Sequence, residues 1–386
     1  MRNFTFYNPT RILFGDGQLG RLTEEIRRHG QRVLMVYGSG SIQKSGLYDE
    51  VVSLMHQDGC EMWELGGIRA NPVLTPVYEG IRLVKEHDIQ LVLAVGGGSV
   101  IDTAKAIAAG AMITDDVWSL FDHTRVAKEA LPVGVVLTIP AAGSESSNSA
   151  VITKEEGCLK YSFSAECIIP AFAILEPKRT CSLFPYQTAC GIADMLCHVL
   201  ERYLCEDGQD ALMDGLCESA MRTIMEQAPK VLANPDDLQA RAQLMWAGTL
   251  AHNNLFGSGR WQDWSAHRIE HELSALYNIA HGAGMAIMMP AWMTYCMQTL
   301  EGALVRLVTR VFCLREHLPA GQLAQEGIKQ LQAFFASIGL AHRLSDLQID
   351  GSRFAEMGYR CAGDGVIGGV HKLNAKDVEQ IFKLAL

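Results

Sequence analysis

The sequence predicts two halves of different class: an α/β half with a parallel sheet, then an all-helical half. Three observations carry this. Nearly all-apolar, β-branched runs alternate with helical stretches up to about residue 175. Each run reads as continuously apolar rather than alternating, the pattern of strands buried on both faces. Beyond Glu176-Pro177 the periodicity is helical almost throughout. At 386 residues the chain exceeds one ordinary core. We therefore expect domains at 1–180 and 181–386, with the boundary near 177–185.

In chain order, Arg32 to Tyr37 is a strand that breaks at Gly38-Ser39-Gly40-Ser41. Cys60 to Leu65 is a weaker strand, closed by Gly66-Gly67 and the turn signal Asn71-Pro72. A helix from about Thr75 to His87 leads into the strand Ile89 to Val95. Gly96-Gly97-Gly98-Ser99 ends that strand and opens a helix carrying Asp102 and Lys105. Further strands follow at Val133–Ile139 and Ala171–Leu175.

Composition bounds the function. Hydrophobic residues at 48% and charged residues at 20% describe a well-packed enzyme. A formal net charge of −10 without any Lys/Arg cluster argues against nucleic acid as a partner. No apolar run is long enough for a membrane span. The first residues lack the pattern of a secretory signal, and eleven cysteines occur without a C-x-x-C pair. The expected compartment is a reducing cytoplasm.

Two glycine loops suggest a nucleotide. At Gly96, Gly97, Gly98 and Ser99 a strand turns into a helix without side-chain bulk, so backbone N–H groups can approach a pyrophosphate. A tight ligand-free turn is the alternative, and the spacing is neither G-x-G-x-x-G nor a Walker A loop. Gly38, Ser39, Gly40 and Ser41 form a second loop of this design, with Lys44 nearby and no Asp or Glu. Hydroxyls plus a lysine suit a 2′-phosphate, so NADP(H) is expected over NAD(H). Thr138 to Ser146, rich in small hydroxyl residues, would suit a loop near phosphate or nicotinamide.

The helical half carries the metal chemistry. Asp194/His198 and His267/His271 are i, i+4 pairs, each on one helix face, and His281-Gly282 follows. One carboxylate and several imidazoles make a divalent-metal donor set, and either Fe²⁺ or Zn²⁺ suits it. A structural Asp–His hydrogen bond is the alternative for the first pair. Trp246, Trp261 and Trp264 read as interdomain core or the wall of a binding site.

Together, Gly96-Gly97-Gly98-Ser99-x-x-Asp102, Thr138-x-Pro140…Gly143-Ser144-Glu145, Asp194-x-x-x-His198 and His267-x-x-x-His271…His281-Gly282 resemble the iron-containing (group III) alcohol dehydrogenases. The likeness is greatest to the butanol dehydrogenase and NADPH-dependent aldehyde reductase branch, and the opening Phe6 to Gly15 shares it. The resemblance implies a dehydroquinate synthase-like architecture: a dinucleotide-binding α/β domain, an all-helical metal-binding domain, a cleft between them and a homodimer. It further implies Asp194, His198, His267 and His281 as metal ligands, with His271 beside nicotinamide and substrate but not on the metal; because a proton must enter or leave, His271 is the candidate relay. Gly38, Ser39, Gly96 to Ser99, Asp102, Thr138 and Lys160 would touch the dinucleotide. The chain departs from the branch in its Gly-Ser-Gly-Ser loop, in Ala142 where threonine is common, and in Glu176-Pro177 for Asp-Pro.

The reaction expected is metal-assisted hydride transfer between NAD(P)(H) and a small primary alcohol or aldehyde. Two other readings stand beside it: a metal- and nucleotide-dependent lyase or cyclase of the dehydroquinate synthase type, and a non-catalytic nucleotide-binding sensor.

Overall fold

The computed structural model describes residues 1–205, 210–314 and 318–386. Contacts divide the chain into two units, Tyr7–Leu183 and Phe184–Leu386, and Met1–Phe6 belongs with the second. The division thus lies at Leu183/Phe184, and the opening residues pack with the helical unit rather than the α/β one.

The α/β unit holds strands β1 (Arg11–Phe14), β2 (Arg32–Gly38), β3 (Glu61–Ile68), β4 (Leu91–Gly96), β5 (Val133–Leu137), β6 (Ser149–Lys154), β7 (Leu159–Ser164) and β8 (Phe172–Leu175). Its helices are α1 (Leu22–Arg27), α2 (Ser41–Lys44), α3 (Leu47–Gln57), α4 (Leu74–Glu86), α5 (Gly98–Gly110) and α6 (Trp118–Phe121). Six strands form one sheet in the order β1-β8-β5-β4-β2-β3, every neighbouring pair parallel. The central strand β4 is buried at every position, as its unbroken apolar run requires.

The chain leaves β2 towards β3 on one side and β4 towards β5 on the other. That reversal makes the carboxyl ends of β2 and β4 the switch point of the sheet, where such folds open a crevice. Tyr37 lies opposite Val95 and Gly96 opposite Leu137, so the loops following β2, β4 and β5 all emerge at this edge.

Two strand features were not read from the sequence. β1, only four residues long, owes its place to pairing with β8, from Arg11 opposite Phe172 to Phe14 opposite Leu175. β6 and β7 form a separate antiparallel pair in which Thr153 lies opposite Lys160. Glu176 is a buried tie: one carboxylate oxygen accepts from the Leu19 N–H at 2.9 Å, the other from Arg179 Nε at 2.8 Å.

The helical unit contains α7 (Pro185–Tyr203), α8 (Ala211–Ala233), α9 (Leu238–His252), α10 (Ser265–Tyr277), α11 (His281–Tyr295), α12 (Met297–Arg306), α13 (Ala320–Ser337), α14 (Phe354–Ala362) and α15 (Ala375–Leu384). Pro185 sits in the first turn of α7, where its missing N–H costs nothing. One apolar core runs through the unit, and α7 and α11 lie at its centre, buried along most of their length. Trp246 and Trp261 are exposed, so neither is part of a core, and the Arg2 guanidinium lies over the Trp261 ring at 4.3 Å. Among the described residues no helix is long and apolar enough to cross a membrane.

Candidate metal centre and nucleotide loops

Helix periodicity places the acids and imidazoles of the helical unit. On α7, Asp194, His198, Glu201 and Arg202 follow one another at i, i+4, i+7 and i+8, along the face turned into the core. On α10, His267, Glu270 and His271 do the same. Asn278 adopts a left-handed conformation (φ 52°) that ends α10 and turns the chain into α11, whose first residue is His281.

α11 can approach α7 only because residue 282 is glycine. A Cβ at Gly282 would overlap the backbone carbonyl of Cys190, one turn before Asp194. Gly284 is constrained in the same way by the Glu270 carboxylate. These two glycines bring His281 against Asp194 while leaving room for the carboxylate behind it.

Three imidazole nitrogens converge on Asp194 Oδ1: His198 Nδ1 at 3.4 Å, His281 Nε2 at 3.5 Å and His267 Nε2 at 3.9 Å. The donor atoms of Asp194, His267 and His281 lie within 4.8 Å of one another. Asp194 Oδ1, His198 Nδ1 and His267 Nε2 are all buried and have no hydrogen-bond partner. Buried polar atoms are ordinarily bonded, so orphans gathered at one point suit a bound cation. A carboxylate and three imidazoles fit a divalent metal of the Fe²⁺ or Zn²⁺ type.

Two fully buried glutamates orient this set. Glu201 Oε1 accepts from His267 Nδ1 at 3.0 Å and from the His267 backbone N–H at 3.1 Å, while its Oε2 accepts from the Trp264 N–H at 2.8 Å. Glu270 bonds His281 Nδ1 and accepts from the Ser274 hydroxyl. In both histidines the Nδ1 proton is committed to a carboxylate, leaving Nε2 to face Asp194. This is the arrangement that fixes the tautomer of a ligating histidine. Asp263 anchors the start of α10, accepting from the Ser265, Val370 and His371 backbone N–H groups at 3.1, 2.9 and 2.6 Å.

The charges are interdependent. Burial alone would raise the Asp194 carboxyl, but His198, His281 and His267 hold it well below the usual carboxylate range. Burial pushes the His198 imidazole far down. Burial also pulls His267 down, yet the neighbouring Asp194 and Glu201 carboxylates prevail and carry it up to about 9. Asp194, Glu201 and Glu270 place three carboxylates in the core, with Arg202 as a buried cation beside them. A dication would balance the remainder.

His271 stands one turn beyond His267 and is buried, its ring centroid 5.7 Å from that of His281. It lies at the margin of the Asp194 cluster. Arg260, in the segment before α10, donates to Asp214 at 2.7 Å.

In the α/β unit the structure gathers the glycine loops at the switch point. Gly98 begins α5 and Gly97 precedes it in an extended conformation, with no side chain capping the helix. A Cβ on Gly98 would lie 3.2 Å from the Ala142 Cβ, so the loop after β5 presses on the glycine turn. The Thr138 N–H donates to the Gly96 carbonyl at 3.0 Å and fixes the two loops side by side.

Both Asp102 oxygens are engaged: one accepts from the Ser144 hydroxyl at 2.6 Å, the other from the Val151 N–H at 3.0 Å. Asp102 thus ties α5 to the segment 144–151. Buried Lys105 reinforces the tie through the Ser144 hydroxyl at 3.0 Å and the Ser147 and Ser149 carbonyls, both at 2.9 Å. Lys160 on β7 donates to Asn71 Oδ1 at 3.0 Å. Ser39, Ser41 and Lys44 are exposed just beyond β2. Glu64 on neighbouring β3 accepts from the Tyr37 and Tyr48 hydroxyls, both at 2.9 Å.

Sequence reasoning gave no role to Glu201, Glu270, Gly284, His252 or Arg202. Glu201 and Glu270 did carry a signal: each is an acid on the apolar face of a helix that also bears candidate ligands.

Comparisons with known proteins agree with these features. Residues 9–177 match the model "Iron-containing alcohol dehydrogenase", and residues 188–386 match "Fe-containing alcohol dehydrogenase family, C-terminal". Over 390 residues the chain is 39% identical to the probable NADH-dependent butanol dehydrogenase 1 of Bacillus subtilis (strain 168), covering 100% of both chains. It is 35% identical to the NADPH-dependent aldehyde reductase YqhD of Escherichia coli (strain K12), again over 100% of both. The crystal structure of NADH-dependent butanol dehydrogenase A from Thermotoga maritima superposes with a TM-score of 0.96 at 37% identity, covering 100% of this chain and 99% of that one.

Proposed function

Since this chain belongs to the iron-containing alcohol dehydrogenase family, we propose that it is an NAD(P)-dependent alcohol dehydrogenase or aldehyde reductase acting on a small primary alcohol or aldehyde. The carrying observation is the convergence of His198, His267 and His281 nitrogens on one orphaned Asp194 oxygen. Asp194, His198, His267 and His281 are the proposed metal ligands. When bound, a divalent ion supplies a Lewis acid for the carbonyl or hydroxyl oxygen of the substrate.

The protein's own groups do the rest. Glu201 and Glu270 hold His267 and His281 in one tautomer and one orientation. In the α/β unit, the N–H groups at the start of α5 are proposed to take the dinucleotide pyrophosphate, with Gly38 to Ser41 and Thr138 completing the contacts. Asp102 acts there by holding the 144–151 segment on α5, and Lys160 by its place on β7. His271 is proposed to pass the proton at the substrate oxygen. His271→Ala should keep the metal yet lower kcat on the order of a hundredfold, read by metal analysis beside steady-state rates.

The named relatives are dehydrogenases and a reductase, which favours hydride transfer over the cyclase and sensor readings. The decisive experiment strips the metal with a chelator, adds back Fe²⁺ or Zn²⁺, and follows NADPH and NADH oxidation with butanal. Absence of metal-dependent turnover with either coenzyme would end the proposal.

NADP(H) is the proposed coenzyme over NAD(H), although the relatives' names are divided between NADH and NADPH. The support is local: residues 38–44 contain two serines and a lysine and no acid. Ser39→Asp should lower kcat/KM for NADPH at least about tenfold, some 1.4 kcal/mol, and leave NADH use intact. Equal losses with both coenzymes would refute the assignment. The proposed assembly is a homodimer, and the proposed compartment is the cytoplasm, where eleven cysteines without a disulfide stay reduced.

A further inference from the structure

Among the four proposed ligands, His198 is held differently from the other histidines. His267 and His281 each have a glutamate at Nδ1, whereas His198 turns its Nδ1 to Asp194. The His198 ring meets the His267 ring at a centroid distance of 4.6 Å, and it also packs against His252 at 4.4 Å and Trp264 at 5.8 Å. His252 is the last residue of α9, and it meets Trp264 edge-on at 5.2 Å.

Behind these rings lies Arg202, one turn beyond His198 and almost wholly buried. Its Nη1 donates to the His198 carbonyl at 2.8 Å, and its Nη2 lies 3.2 Å from His252 Nδ1. The guanidinium carbon sits 4.5 Å from the centre of the Trp264 ring, and Nε has no hydrogen-bond partner. Arginine has no acceptor, so His252 Nδ1 must accept and the imidazole carries its proton on Nε2. Arg202 therefore fixes both the tautomer and the tilt of His252. It also touches the Trp264 ring through a cation–π contact.

We propose that Arg202 and His252 are positioning residues for the metal: together they hold His198 in the rotamer that presents its nitrogen beside Asp194. The pair does for His198 by ring packing what Glu201 and Glu270 do for the other two imidazoles by hydrogen bonding. This inference rests on the metal reading above. Truncating either partner frees the ring wall, so His198 gains rotamers that do not ligate.

The test uses Co²⁺ as a spectroscopic probe with Arg202→Gln, His252→Leu and the double variant, in the full chain. Affinity is read by competition with a chelator, geometry by the visible absorption of bound Co²⁺, and folding by circular dichroism of the metal-free proteins. Each single variant should weaken Co²⁺ binding about 10- to 100-fold and alter the band envelope. The double variant should be no worse than the weaker single, because both residues act through one ring. His252→Phe, which keeps the ring wall without the Arg202 bond, should recover part of the affinity. If Arg202→Gln does not fold, the His252 variants carry the test. A lowered Tm with unchanged Co²⁺ affinity and spectrum would reduce the pair to a purely structural role and overturn the proposal. Wild-type protein that takes up no Co²⁺ would overturn the metal reading itself.

Discussion

Asp194→Asn is expected to abolish metal uptake and to lower turnover on the order of a hundred- to a thousandfold. The substitution keeps the shape of the side chain and removes its charge. Asp194 Oδ1 is the one point that His198, His267 and His281 all face, at 3.4, 3.9 and 3.5 Å. An amide oxygen is a far weaker ligand, and an amide turned the other way presents N–H groups to three imidazoles. The rise in Tm on adding Zn²⁺, present in the wild type by mass action, should vanish in the variant.

The same cluster gives metal binding a pH dependence of definite sign. In the metal-free protein His267 holds its proton up to about 9, because Asp194 and Glu201 outweigh the effect of burial. A ligating imidazole must be neutral, so uptake expels that proton. Affinity should therefore rise as the pH climbs towards 9 and fall about tenfold for each unit below it. Calorimetric titrations in buffers of different ionisation enthalpy count the proton released near pH 7.5. Release of no proton would contradict the charge assignment at His267.

The second large effect is expected from Gly282→Ala, a change of one methyl group. The new Cβ would meet the Cys190 carbonyl, part of the α7 backbone, which cannot rotate aside as a side chain can. α11 must shift away from α7, and His281, the adjoining residue, moves with it. Overpacking of this kind costs about 1–3 kcal/mol of stability. The functional loss should be larger, since moving His281 opens the ligand set on one side. Gly215→Ala on α8, where nothing lies within 4 Å of the added methyl, is the control. It should be neutral or slightly stabilising, because alanine is the better helix former. A Gly282→Ala protein with normal Zn²⁺ affinity would show that the close approach of α7 and α11 does not place His281.

Much of this site was legible in one dimension because helix geometry converts spacing into direction. Asp194/His198 and His267/His271 had to share faces, and the first pair had to lie in a buried helix, since Met195, Leu196 and Cys197 between them are apolar. The parallel sheet was equally readable from β2, β4, β5 and β8, where unbroken apolar runs leave no polar face. β1 was not, because four residues beginning with an arginine become a strand only through pairing with β8. The β6–β7 pair was hidden for a similar reason: its serines, threonine and lysines read as a loop until cross-strand pairing is known. Trp246 and Trp261 misled in the other direction, since an aromatic residue carries no mark of which face of its helix or loop meets solvent.

The sequence by itself determined the fold class, the glycine turns after β2 and β4, and the inventory of acids and imidazoles, all set by local sterics and helical or strand periodicity. Only the tertiary structure decided which members of that inventory share a point. Asp194, His198, His267 and His281 come together from three helices, and Glu201 and Glu270 become orienting groups. Arg202 meets His252 across fifty residues of chain. Such contacts depend on interhelical distances, which Gly282 and Gly284 control through the bulk they lack, and no spacing along the chain encodes those distances.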